Sequence, residues 1–227
     1  MKRRIGIQGF LIFLAILLLL LFSKLIFPSW KREPLDEFFD AIGIILVLSG
    51  FLLRIIARGY KEEKSQQSKE LVKDGPYALI RHPMYFGTLL IGAGIIAALF
   101  EFWVFFVFLI IYLLIYLPQI NREEKILLKR FGQEYLSYCK STPKYFPNIF
   151  LSFREHLPLR LSWIKKELPS LIVVIGAILV IEVWEDIRLF GYLEFYKELT
   201  ELFSIIFAFI IMVIFLLPSK RENNAKN

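Results

Sequence analysis

The sequence predicts an all-α membrane protein, a polytopic bundle of about six transmembrane helices. Of its 227 residues, 57% are hydrophobic, whereas a typical soluble domain has about 45–50%. These residues are concentrated in blocks, each close to the roughly 20 apolar residues that a helix needs to cross a bilayer. Charged residues gather between the blocks. The pattern favours one membrane domain over two soluble ones.

Six hydrophobic stretches fit helical spans, with boundaries accurate to about two to four residues. The predicted spans are Ile5–Phe27, Glu37–Arg58, Pro83–Phe100, Phe102–Leu117, Leu168–Val183 and Leu202–Leu217. The first follows a basic N-terminus, as a signal peptide would. It is too long for a typical signal-peptide core and no small-residue cleavage site follows it, so we expect a retained helix.

The third and fourth spans are separated by almost no loop. They meet at Glu101, which predicts a tight antiparallel hairpin. On the third span, Thr88 and Gly92 lie four residues apart, as do Gly94 and Ala98. Small residues at this spacing allow helix backbones to approach closely in lipid, although such residues are common in membrane helices.

Basic residues orient the predicted spans. The N-terminus, segments 59–81 and 120–166 and the C-terminal tail are rich in Lys and Arg, and the intervening loops are acidic or neutral. The positive-inside rule then places both termini in the cytoplasm, in a multi-pass integral membrane protein. The net charge of +7 is spread around the spans and forms no single arm or recognition helix. It therefore favours membrane lipids over nucleic acid as partners.

Polar side chains gather where the third span begins. Pro83 suits the first position of a helix, and His82 before it is steered away from helical dihedrals. Tyr85 lies close to the same face, and Arg81 lies just outside the span. An imidazole, a phenol and a guanidinium at a helix N-terminus suit a carboxylate or phosphate. An interfacial belt of polar and aromatic residues is the alternative interpretation.

An acidic pair follows the fourth span. Asn121 and Glu124 fit a capping box, which predicts a new helix at about Arg122–Lys140. Glu123 has no such structural role, and the pair would suit a cationic amine or a sulfonium. Arg122 would pair with either carboxylate or bind an anionic group.

The predicted helix after the acidic pair is amphipathic, and Gly132 would break or bend it. The alternative to a role in the site is that this helix lies on the membrane surface. The chain lacks a glycine-rich phosphate loop, HExxH and GxSxG. Because it has only two histidines and one cysteine, we expect no metal site.

The ordered motifs between Lys73 and Pro147 resemble the isoprenylcysteine carboxyl methyltransferase and phospholipid methyltransferase family of integral membrane enzymes. The matching elements are Gly-Pro-Tyr at 75–77, Arg-His-Pro-x-Tyr-x-Gly at 81–87, the hairpin, Glu-Glu at 123–124, Phe-Gly-x-Glu-Tyr at 131–135 and Pro-x-x-x-Pro at 143–147. The resemblance implies S-adenosylmethionine as methyl donor, held in a cytoplasmic pocket between helices. It also implies a lipophilic or prenylated methyl acceptor.

The resemblance divides the chain and assigns its site. Residues 1–166 would form the methyltransferase core, with the motif region at 73–147, and residues 167–227 would add two helices and a polar tail. The implied cofactor-binding residues are Tyr77, His82, Tyr85, Gly87, Glu123 and Glu124. The implied catalytic residues are Arg81, Arg122 and Glu123, the two arginines as ligands of an anionic group. Tyr145 would be a further pocket wall beside Tyr77.

Two other functions compete with methyl transfer. One is an NADPH-dependent membrane reductase of the sterol-reductase type on a similar helical core, and His-Pro-x-Tyr with Glu-Glu fits the methyltransferase better. The other is a non-enzymatic membrane protein, and the low charge within the spans argues against an ion pathway. The sequence leaves open whether the acceptor is a carboxylate, a phospholipid amine, or a small hydrophobic amine or thiol, and it predicts no oligomeric state.

Overall fold

The described part of the chain is helical. The computed structural model describes residues 34–67, 70–148 and 156–189, together with positions 203 and 207, and all regular structure in these ranges is helical. The helices are α1 (Pro34–Gln67), α2 (Pro76–Leu79), α3 (Pro83–Leu99), α4 (Phe102–Phe131), α5 (Gln133–Ser141) and α6 (Leu161–Leu189). The predicted all-α class is confirmed for these residues. The predicted first span lies outside them, as does the sixth apart from positions 203 and 207.

Two of the helices are long and apolar enough to cross a membrane. These are Phe38–Lys64 within α1 and Phe102–Phe131, the whole of α4. Only 11% of the most apolar stretch of α4 is buried, against 50% for α1. An apolar surface of this extent is rarely left in contact with water, so the exposure of α4 supports a membrane location. The apolar stretches Pro83–Leu99 and Glu167–Ile178 are shorter.

Helices α1 and α3 cross at two pairs of glycines. A Cβ atom added to Gly43 would lie 2.6 Å from the carbonyl oxygen of Gly94, and one added to Gly50 would lie 2.6 Å from that of Gly87. The pairs are seven residues apart on both helices and run in opposite order, so α1 and α3 are antiparallel. The predicted close approach of small residues is confirmed for Gly94 and Ala98, which both lie against Gly43 of α1.

The predicted hairpin at Glu101 is confirmed, because α3 ends at Leu99 and α4 begins at Phe102. The capping box at Asn121 and Glu124 is wrong. Helix α4 continues without interruption to Phe131, so these residues lie in its interior. Propagating an existing helix adds one hydrogen bond per residue, whereas a new helix must be nucleated again.

Helix α4 ends at Gly132, as the sequence predicts. Gly132 has φ of 52°, a left-handed conformation that glycine adopts without the steric cost of a Cβ. The chain then turns into α5, whose Tyr135 and Tyr138 are buried against Leu71 in the segment that precedes α2. This turn folds α5 back over the polar end of the α3–α4 hairpin.

Helix α6 packs on α1 and closes the bundle. Ile178 lies in a buried cluster with Val47, Phe51 and Leu99. Eleven residues earlier in α6, Glu167 contacts arginines that follow Phe51 in α1. The two helices are therefore antiparallel. The division at residue 166 stays a prediction, and it falls within α6.

Candidate functional site

The site is built around the break between α2 and α3. Proline occupies the first position of α3, and His82 before it adopts φ of −126° and ψ of 60°, outside the helical region. The backbone carbonyl of His82 accepts a hydrogen bond from the Phe86 amide at 3.1 Å. His82 is only 6% exposed. The Pro83 prediction is thus confirmed, and it fixes the imidazole at the entrance of the helix.

The segment after α5 returns to this break and pairs with its backbone. The amide of Arg81 donates to the carbonyl of Pro143 at 3.0 Å, and the amide of Asn148 donates to that of Leu79 at 2.8 Å. The hydroxyl of Tyr138 donates to the carbonyl of Tyr77 at 2.6 Å. These bonds satisfy backbone groups where no helix does so. They also bring the residue after Pro143 beside α4.

Three basic side chains surround Glu124, and we call the four residues the Glu124 cluster. Its Oε1 accepts a hydrogen bond from Arg81 Nη1 at 2.8 Å and lies 3.3 Å from His82 Nε2. Its Oε2 accepts from Lys144 Nζ at 2.6 Å. All four side chains are largely buried. A carboxylate held by two cations in this way is strongly favoured in its ionised form.

Burial keeps two other groups of the site neutral near pH 7. Desolvation lowers the pKa of His82, and the neighbouring Glu124 carboxylate opposes that shift only in part. Desolvation also raises the pKa of Tyr77, and the negative charge of Glu123 adds to the rise. His82 therefore presents a neutral imidazole and Tyr77 a neutral phenol.

Glu123 points to a different side of the hairpin from Glu124. Its Oε1 accepts a hydrogen bond from the Tyr85 hydroxyl at 2.5 Å and lies 3.5 Å from the Gln119 amide nitrogen. The Tyr85 ring lies 5.4 Å from the Tyr116 ring. Consecutive residues on a helix point about 100° apart. One acidic side chain therefore enters an aromatic environment while its neighbour enters the Glu124 cluster.

A cavity of about 540 Å³ opens beside these groups, within the range typical of small-molecule sites. Its wall includes residues of α1, α3, α4 and α5 and of the segment before α2. Its polar and aromatic lining residues are Arg54, Lys61, Glu70, Tyr77, Arg81, His82, Tyr85, Thr88, Tyr116, Glu123, Arg130, Phe131 and Tyr138.

Five of the nine residues that the resemblance assigns line this cavity. They are Tyr77, Arg81, His82, Tyr85 and Glu123. Glu124 lies directly behind Arg81 and His82. Gly87 is buried against α1, and Arg122 is exposed on α4 outside the cavity wall. Tyr145 is 49% exposed and also lies outside the wall.

The cavity wall has the groups that S-adenosylmethionine requires. Glu123 offers a carboxylate to a cationic centre, and the rings of Tyr77, Tyr85 and Phe131 offer aromatic surface to an adenine. Among the described side chains, two buried polar atoms have no hydrogen-bond partner, Arg81 Nε and the Tyr135 hydroxyl. These features fit the cofactor that the resemblance implies.

Several wall residues were not predicted, chiefly Arg54, Tyr116 and Tyr138. Arg54 carries a signal in the sequence, because it lies inside the predicted span Glu37–Arg58. A charged residue within an apolar span marks a functional site by default. Lys144 also enters the site unpredicted. Its position depends on backbone pairing across more than 60 residues, which no local pattern encodes.

No metal site appears in the described ranges. Within them, no group of three or more His, Cys, Asp or Glu residues is placed to hold a metal ion.

Comparison with known proteins supports the resemblance. Residues 39–134 match the phospholipid methyltransferase family, and this segment contains the α1–α3 crossing, the hairpin and both glutamates. The chain is 33% identical over 86 residues to the nickel-cobalt-cadmium resistance protein NccN of Alcaligenes xylosoxydans xylosoxydans. It is 34% identical over 86 residues to the cobalt-zinc-cadmium resistance protein CzcN of Cupriavidus metallidurans.

Both alignments are partial. Each covers 38% of this chain, together with 40% of the first relative and 39% of the second. The chain thus spans about two fifths of the length of these curated relatives. No solved structure matches the chain.

Proposed function

We propose that this protein transfers a methyl group from S-adenosylmethionine to a lipophilic or prenylated acceptor at the cytoplasmic face of a membrane. The observation that carries the proposal is the convergence of Tyr77, Arg81, His82, Tyr85 and Glu123 on one cavity. These residues come from three separate sequence motifs, and the cavity lies at the polar end of an apolar hairpin. A lipid would enter from the side of the hairpin and leave its tail in the bilayer.

Glu123 is the residue that would hold the cationic part of the donor. The bound donor supplies a methyl group activated by a sulfonium, which an acceptor nucleophile displaces. Tyr85 fixes the Glu123 carboxylate through its hydroxyl at 2.5 Å. The neighbouring Tyr116 ring lies 5.4 Å from the Tyr85 ring. Glu123 is half-buried, and an ion pair at such a position is stronger than one in bulk water.

The chain would contribute alignment and desolvation more than acid–base chemistry. If the acceptor is a carboxylate, its charge and that of the sulfonium cancel in the transition state, and a dry cavity favours that change. If the acceptor is a lipid amine, a base must first remove a proton. Glu123, which lines the cavity together with Glu70, would be the base for that step.

Binding of S-adenosylhomocysteine to the detergent-solubilised protein, measured by calorimetry beside NADPH, tests the proposal. We expect the homocysteine compound to bind and Glu123→Gln to weaken it by about tenfold, since hydrogen bonds to charged groups contribute about 1.5–3 kcal/mol. Glu134→Gln is the matched control, because Glu134 is exposed and lies outside the cavity wall. Binding of NADPH alone would replace the proposal by a reductase. Binding of neither compound would support a non-enzymatic protein.

Metal resistance, for which both relatives are named, is not favoured by any observation on the described residues. The cavity wall has two glutamates and one histidine among its arginines and tyrosines, and the described residues contain no group of three or more His, Cys, Asp or Glu placed to hold a metal ion.

A further inference from the structure

A second carboxylate–arginine group joins α6 to the cavity, and we call it the Glu167 cluster. Glu167 is 2% exposed. Its Oε1 accepts a hydrogen bond from Arg58 Nη1 at 2.8 Å, and its Oε2 lies 3.4 Å from both Nε and Nη2 of Arg54. Both arginines belong to α1, one helical turn apart. A carboxylate buried this deeply on a helix that faces apolar surroundings requires such partners.

Arg54 extends from this cluster to the cavity. Its Nη1 donates to the hydroxyl of Thr88 at 2.6 Å, and Arg54 and Thr88 both line the cavity. Gly87 makes this path possible, since a Cβ atom there would lie 2.7 Å from Arg54 Cγ. Arg58 is held by the same carboxylate but is not part of the cavity wall.

The guanidinium of Arg54 retains binding capacity toward the cavity. Of the five N–H groups of an arginine, three are used by its described partners, Glu167 and Thr88. One N–H on Nη1 and one on Nη2 remain without a described partner. Nη1 and Nη2 form the outer edge of the guanidinium, the edge that can pair with the two oxygens of a carboxylate or phosphate. Because Glu167 faces two arginines, it does not cancel the charge of Arg54.

We propose that Arg54 binds an anionic group, a carboxylate or phosphate, of a ligand in the cavity, and that Glu167 is a positioning residue that orients it. This inference rests on the proposed function and gives α6 a part in the site. The anionic group has two possible sources, the carboxylate of the methyl donor and the charged headgroup of a lipid acceptor. The resemblance assigns Arg81 and Arg122 to an anionic group. Arg81 is hydrogen-bonded to Glu124, and Arg122 is exposed.

Two pairs of probes, each differing by one anionic group, test the role of Arg54. S-adenosylhomocysteine is compared with its decarboxylated analogue by calorimetry, and fluorescent phosphatidic acid is compared with fluorescent diacylglycerol in detergent micelles. We expect Arg54→Gln to weaken the anionic member of one pair by about tenfold or more and to leave its uncharged counterpart unchanged. The pair that responds identifies the source of the anion. Arg54→Lys, which keeps the charge, should restore part of the affinity.

Arg58→Gln is the matched control, because it removes the same kind of side chain from the same carboxylate outside the cavity. It should weaken the anionic probes less than Arg54→Gln does, because it removes a nearby positive charge but no donor that contacts the ligand. If Arg54→Gln leaves both anionic probes unaffected, or if Arg58→Gln weakens them equally, the binding role of Arg54 is wrong. Failure of the unaltered protein to bind S-adenosylhomocysteine would instead overturn the proposed function, and the lipid pair would still test Arg54.

The positioning role of Glu167 has its own readout. Glu167→Gln should weaken the same anionic probe as Arg54→Gln, by a smaller factor, and have no further effect in the Arg54→Gln background. Glu167→Asp should recover part of the loss. Equal weakening of the charged and uncharged probes, or full additivity in the double variant, would show that Glu167 acts only on the fold and would overturn its assignment.

Discussion

The Glu124 and Glu167 clusters share one design and differ in where their residues come from. In each, a carboxylate faces two cations, and one of those cations is an arginine of the cavity wall. Glu124 lies on the hairpin, within the family segment 39–134, and its partners are largely buried. Glu167 lies outside that segment on α6, and Arg54 and Arg58 are 27% and 41% exposed.

Residues inside the segment 39–134, which carries the sequence motifs, and residues of α6 outside it therefore both support the same cavity. The Glu124 cluster fixes the entrance of α3, where Arg81 and His82 reach the cavity. The Glu167 cluster holds Arg54, the residue of α1 that reaches the cavity wall beside Thr88. Because burial differs, the same loss of a carboxylate should have unequal consequences in the two places. The free energies of unfolding of variants in the two clusters therefore test this comparison.

Glu124→Gln should have the largest effect. It leaves Arg81 and Lys144 largely buried without their counter-charge, and breaking a buried ion pair from one side costs about 3–5 kcal/mol. We expect a matching fall in the free energy of unfolding, measured by denaturant titration in detergent micelles.

The matched control for Glu124→Gln is Glu134→Gln, whose partner Lys73 lies on the surface. Its midpoint of unfolding should be unchanged within error, because exposed ion pairs contribute little. Equal losses in the two variants would contradict the structural role assigned to the Glu124 cluster.

Gly87→Ala should have the next largest effect on stability, because Gly87 lies where α3 packs closely against α1 and against the Arg54 side chain. The added Cβ would lie 2.7 Å from both the Gly50 carbonyl oxygen and Arg54 Cγ. The backbone oxygen cannot move without separating α1 from α3. Overpacking of this kind costs about 1–3 kcal/mol, which denaturant titration would detect.

Gly176→Ala in α6 provides the comparison for Gly87, because no described heavy atom lies within 4 Å of a Cβ at that position. Alanine is favoured over glycine inside a helix by about 0.5–1 kcal/mol, so this variant should be as stable as the unaltered protein or slightly more stable. A stable Gly87→Ala protein would refute the close crossing at Gly50.

Glu167→Gln should cost less than Glu124→Gln, at about 1–2 kcal/mol. Charged hydrogen bonds contribute about 1.5–3 kcal/mol, and the exposure of Arg54 and Arg58 reduces that value through solvent screening. Denaturant titration of both variants side by side measures the ratio. A larger loss for Glu167 than for Glu124 would reverse the comparison and make α6 the principal support of the site.

The sequence predicts the two clusters unequally for physical reasons. Residues such as His82, Pro83 and Glu124 lie in short patterns whose local consequences are direct, and the hairpin at Glu101 follows from span length alone. The Glu124 capping box fails because Asn121 and Glu124 fit a local rule that the continuing helix overrides.

The Glu167 cluster depends on tertiary contacts that no short pattern encodes. Arg54 and Glu167 meet only because α6 returns antiparallel to α1, more than 100 residues later. Arg54 itself could have been identified, as a charge inside an apolar span. The position of its partner, and the glycine that lets it pass, could be found only from the packing of helices.

The smallest expected effect is on the pH dependence of stability. It distinguishes the two clusters because only the Glu124 cluster contains a histidine. Burial lowers the pKa of His82, against the pull of Glu124 and Glu123 and with the help of Arg81. The unfolded chain, with an ordinary histidine pKa of about 6.5, therefore binds a proton more readily than the folded protein. Stability from His82 is present above that pH and is lost as the pH falls below it toward the folded pKa. Thermal unfolding midpoints of the unaltered protein should decline over this window more steeply than those of His82→Gln. If the two proteins decline in parallel, the imidazole is not kept neutral by burial, and the Glu124 cluster holds it as a third cation.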